Sequence, residues 1–176
     1  MLVNLPTYIL IHVVLGLVGI IAGLVVVGGL MAGVRFSSWI DLFLAATVLT
    51  NVMGFGFPFV TLFPSHIVAG LSLVVLAVAI AALYWKRLAG AWRQVFVVLS
   101  VLALYLNVFV LSVQLFRKIP ILAMLAPNPQ APAFVATQVL VLLLFAALGR
   151  AAVKGFRSGN AAGPAQRLQA EEYTPP

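Results

Sequence analysis

His12 and His66 are the only two histidines in the chain, and each lies in a long apolar stretch. His12 precedes Arg35 by 23 residues and His66 precedes Lys86 by 20, which on helices puts both rings about 30–35 Å above those cations. They share a level. Gln114, 21 residues beyond Arg93, reaches the same height. Asn51, Ser72, Asn107 and Gln138 fall lower, about 18–21 Å from the nearest charged ends.

Three kinds of chemistry fit that constellation. The amides and hydroxyls can simply hydrogen-bond between helices, with the histidines at a wet interface. Alternatively, neutral imidazoles on two facing helices can close a six-coordinate iron. His12 and His66 would then be axial ligands of a b-type haem, with Arg117 and Lys118 placed for its propionates. Apolar walls with a few convergent polar groups and a cationic rim also describe a pocket for an amphiphile such as a quinone or a lipid.

Other chemistry is excluded or disfavoured. The chain has no cysteine, so disulfides, thiolate nucleophiles and Cys-ligated metals are ruled out. Asp41 is the sole carboxylate inside an apolar stretch, which argues against acid–base hydrolysis and against conduction through a ring of acids. No nucleotide loop or metal-ligand cluster is legible. The sequence therefore points away from an enzyme.

Positioning these residues takes membrane helices. Apolar residues make up 64% of the chain and charged ones 7%, and the mean hydropathy is +1.20, values outside the range of water-soluble domains. Crossing about 30 Å of hydrocarbon takes roughly 20 apolar residues. Five stretches qualify, 7–34, 38–60, 65–85, 94–116 and 133–153, and the alternation of a membrane barrel is absent from them. The expected fold is an all-α, five-span bundle over residues 1–157, followed by a polar tail at 158–176 that composition marks as flexible.

Charge sets the expected orientation. Arg35, Lys86, Arg87, Arg93, Arg150, Lys154, Arg157 and Arg167 collect on one side, and Arg117 and Lys118 on the other. Cations favour the cytoplasmic face, so the C-terminus is placed inside and the N-terminus outside. The net charge of +7 then serves topology and contacts with anionic lipid headgroups, not nucleic acid. Without a basic n-region, the long first stretch does not read as a cleavable signal peptide.

Local signals fill in the rest. Ser38 and Asp41 have the spacing of a capping box for helix 2, which gives Asp41 a structural role. Trp39, Trp85 and Trp92 fall at the ends nearest the cationic cluster, where indoles favour the interface. Gly16, Gly19, Gly23, Gly28, Gly29 and Gly33 give helix 1 a small-residue face for close packing. The segment from Arg117 to Pro132 is either a surface lid or a plain connector, with Ile119 to Leu125 short enough to lie flat.

The run from His12 to Gly16 followed by Gly23, a His-x3-Gly-x6-Gly pattern, resembles the opening of a family of small bacterial multispan membrane proteins of unknown function. Ser65-His66 would match that family's second histidine. Between helices 1 and 2, where the family has a basic stretch containing histidine, this chain has only Arg35-Phe36-Ser37-Ser38. The resemblance implies a multispan α fold in a bacterial inner membrane and no particular activity. Together these readings give a non-enzymatic or accessory subunit of a larger membrane complex, with an outward pocket for a lipid- or quinone-like amphiphile.

Overall fold

The computed structural model describes residues 4–56 and 64–172, and for residues 64–65 and 158–172 only the course of the backbone. All regular structure among the described residues is helical: α1 Leu5–Met31, α2 Ser37–Gly54, α3 Pro64–Ile80, α4 Trp92–Lys118, α5 Pro120–Leu125 and α6 Pro132–Glu172. A single π-helical turn, Ala81–Trp85, extends α3.

Four segments are long and apolar enough to cross a membrane: Leu5–Met31, His66–Trp85, Trp92–Lys118 and Pro132–Arg157. The second expected span is a helix too, but α2 has 18 residues and carries Asp41, Thr47, Thr50 and Asn51. It is shorter and more polar than the other four. The last part of that expected span, 57–60, lies outside the described residues.

The helix ends follow ordinary capping physics in some places and not in others. The Asn4 side chain accepts the Thr7 backbone N–H at 3.0 Å, with proline in the first turn of α1, so one orphan amide is satisfied. At α2 the expected capping box is absent. The helix starts one residue early, its N-cap is Phe36, and no side chain caps it. The Asp41 carboxylate instead accepts the Tyr84 hydroxyl from the π turn, a charge-assisted bond that ties α2 to α3.

From Ser158, where the sequence turns polar, the backbone carries α6 on through Glu172. Ala161, Ala162, Ala165, Gln166, Arg167, Leu168, Gln169 and Ala170 are good helix formers, a local preference that overall polarity hides. The segment expected as lid or connector contains α5, which packs on α4.

Contacts place the long helices in a ring, α1 to α2 to α3 to α4 to α6 and back to α1, with α1 also touching α4 across the middle. α1 and α3 therefore lie on opposite walls with no extensive contact. On α1, Gly16, Gly19 and Gly23 recur at helical spacing and meet Thr50, Thr47 and Phe43 of α2 in turn. A Cβ on Gly23 would come within 2.9 Å of the Phe43 ring and 2.7 Å of Leu104. Gly155 of α6 abuts the Met31 backbone so closely that a Cβ would overlap it.

The buried core occupies the end of the bundle that carries most of the cations. Val26 and Leu30 of α1, Phe43 of α2, Leu76 and Ala79 of α3, Phe96 and Leu104 of α4 and Phe156 of α6 form one cluster. The turn from α3 to α4 feeds it. Arg87, Leu88 and Gly90 have φ of 49°, 57° and 52°, and the Leu88 N–H reaches back to the Ala82 carbonyl at 3.0 Å. That reversal buries the Leu88 side chain in the core.

Candidate functional site

Away from the basic end the ring of helices opens around a cavity of about 200 Å³. α1 contributes His12, Gly16 and Leu17, and α2 contributes Thr50, Asn51 and Gly54. Val68, Ala69 and Ser72 come from α3, and Asn107, Val110 and Gln114 from α4. The glycines at 16 and 54 remove side chains where α1 and α2 face each other, which leaves space that two larger residues would fill. Five of the residues singled out from the sequence thus meet here: His12, Asn51, Ser72, Asn107 and Gln114.

A buried polar network forms one wall. The Asn51 Nδ2 donates to the Thr47 carbonyl at 2.8 Å, and the Asn107 Nδ2 donates to the Thr47 hydroxyl at 3.3 Å. Thr50 donates to the Ala46 carbonyl at 2.8 Å. The His12 imidazole hydrogen-bonds the Thr50 backbone. Such bonds hold the side chains in one rotamer, so the wall is preorganised.

Ser72 stands opposite. It is 1% exposed, it lines the cavity, and its hydroxyl has no hydrogen-bond partner in the protein. A buried hydroxyl left this way costs about 1–3 kcal/mol.

Other expected residues lie elsewhere. His66 is 7% exposed and stacks near Phe55, with centroids 5.8 Å apart, and it is not among the residues lining the cavity. Gln138 donates to the Ser112 hydroxyl at 2.7 Å, and Ser112 donates to the Phe109 carbonyl at 2.7 Å, a bridge from α6 to α4. Arg117 and Lys118 are exposed in the last turn of α4, where cations complement the helix dipole. No residue of α5 lines the cavity.

Sequence reasoning missed Thr47 and Thr50. The available signal was their spacing with Asn51, since positions 47, 50 and 51 share one face of a helix. Among the described residues, no group of three or more His, Asp or Glu side chains could hold a metal ion. Comparison of the chain with protein-family models, curated proteins and solved structures gives no match.

Proposed function

We propose that this chain is a non-enzymatic, five-span protein of a bacterial inner membrane that holds the polar head of a quinone- or lipid-like amphiphile in the cavity between α1, α2, α3 and α4. The observation that carries the reading is the unpartnered Ser72 hydroxyl facing the Asn51 and Asn107 wall across apolar space. An acceptor-bearing head would satisfy that hydroxyl, and His12 and Gln114 at the far end would meet its second polar edge. Cavities of about 150 Å³ admit a benzene ring, so about 200 Å³ suits a single substituted ring or a small headgroup. Both are far smaller than a haem macrocycle.

Binding is favoured over catalysis by the residue types. The described lining residues include no carboxylate and no cysteine. The placement of α2 as the fifth span is supported by its length, since 18 residues rise about 27 Å, close to the hydrocarbon thickness. The eight-to-two distribution of cations supports a cytoplasmic C-terminus and an outward cavity. A role as an accessory subunit predicts copurification with a larger assembly in mild detergent.

The test is extraction of the purified protein followed by mass spectrometry. One amphiphile at near one-to-one ratio is expected, lost on Ser72→Leu, which fills the space, and retained on His66→Ala. Bulk lipid alone in the extract would refute the reading. A Soret band that vanishes on His12→Ala and His66→Ala would replace it with a bis-histidine haem.

A further inference from the structure

One residue, Thr47, holds both asparagines of the cavity wall. Its backbone carbonyl accepts from the Asn51 Nδ2 at 2.8 Å and its hydroxyl accepts from the Asn107 Nδ2 at 3.3 Å, so α2 clamps one amide of its own and one from α4. Thr47 is fully buried. Gly19 lets α1 close over the clamp, since a Cβ there would sit 3.0 Å from the Thr47 Oγ1 and 3.5 Å from the Asn107 Nδ2. Chemistry fixes the orientation of Asn51, because a carbonyl only accepts and only the Nδ2 end of the amide can donate to it.

With each Nδ2 turned to Thr47, each Oδ1 is left without a donor among the described residues. The atoms that are both sealed from the surface and unpartnered include the Ser72 hydroxyl but neither Oδ1. Both oxygens therefore open onto accessible space, and both residues line the cavity. Their neighbours do not fill that need, since Thr50 spends its proton on the Ala46 carbonyl and the His12 ring is engaged by the Thr50 backbone. The wall thus offers two acceptors with unmet lone pairs, each beside the second N–H of its own amide. A hydroxyl answers both, donating to Oδ1 and accepting from the N–H. A ketone or ester carbonyl only accepts and leaves the oxygens unpaired.

We propose that the cavity selects an amphiphile whose head carries a hydroxyl, with Asn51 and Asn107 reading that group and Thr47 positioning them. The selection rests on the cavity being an amphiphile site, and it narrows the occupant. Among ring heads it favours a hydroquinone over the corresponding quinone. Among lipid heads it favours a glycerol over an ester that lacks free hydroxyls. A site built to pair a hydroxyl discriminates against the analogue lacking it, because its own buried groups are then left unpaired.

Native mass spectrometry of the full chain, released from detergent under anaerobic conditions, compares two matched pairs of probes: decylubiquinol against decylubiquinone, and monooleoylglycerol against methyl oleate. The hydroxyl-bearing member of at least one pair is expected to bind about tenfold more tightly, and the pair that shows it separates a ring head from a glycerol head. Asn51→Leu should bring that ratio close to one. Thr47→Val keeps the shape of the side chain but frees Asn107 to rotate, so it should lower the ratio about threefold, and it serves as the test if Asn51→Leu does not fold. Gln138→Leu, at a bridge outside the cavity, should leave the ratio unchanged. Equal binding within both pairs, or a ratio unmoved by the changes at Asn51 and Thr47, would overturn the selection and leave the amphiphile site standing. Binding of none of the four probes would overturn both.

Discussion

The same helices build both ends of this bundle, yet the basic end is filled by side chains and the opposite end is left partly empty. At the basic end, Phe43, Phe96, Leu76 and Leu104 interlock with no appreciable exposure; Gly23 makes room for the Phe43 and Leu104 side chains, and Gly155 lets α6 touch the Met31 backbone. Toward the other end, Gly16 and Gly54 line the cavity with threonine, asparagine and serine, and a Cβ at either would come no closer than 3.5 Å to a neighbour. Glycine thus does opposite things in one molecule. Where a large neighbour fills the gap it tightens the fold, and where none does it makes room.

The contrast has measurable consequences, the greatest in the filled half. Phe96→Ala should lower stability in detergent by about 3–5 kcal/mol, whereas Val110→Ala beside the cavity should cost much less, because its neighbours already lack contacts on one side. Thermal unfolding of the two variants measures the difference, and equal losses would erase the distinction between the halves. Gly155→Val should cost about 1–3 kcal/mol or more through overlap with Met31. The matching change Gly28→Val, at a position with no neighbour within 4 Å, should be close to neutral.

Ser72→Ala sharpens the comparison from the other side. Removing a buried hydroxyl that lacks a partner should leave stability unchanged or raise it by up to about 1 kcal/mol, while affinity for the copurified amphiphile falls about tenfold. Ser112→Ala, which breaks the Gln138 bridge, should instead destabilise without changing ligand content. The smallest effect is expected at Asp41→Asn, under about 1 kcal/mol, since both Asp41 and Tyr84 are exposed.

The sequence made the heights of residues legible and left their directions hidden. Apolar length marked the helices, and counting from the cations grouped His12 with Gln114 and Asn51 with Ser72 and Asn107. Those five do line one cavity. Height alone also grouped His66 and Gln138 with them, but one sits against Phe55 and the other turns to Ser112, because rotation about a helix axis is set by packing. Gly155 carried no signal, since its importance depends on Met31 more than a hundred residues earlier. Asp41 was misread for a related reason: a local pattern offered a cap, and Tyr84, 43 residues away, offered a better-placed donor.

Were α1 to tilt against α6, the backbone contact of Gly155 with Met31 would be the fulcrum, and the far ends of the two helices would separate most. His12 lies 19 residues up α1 from Met31, about 28 Å of lever arm. A tilt of about 5° would therefore move its ring by about 2.5 Å over that length, while the contact itself would barely shift.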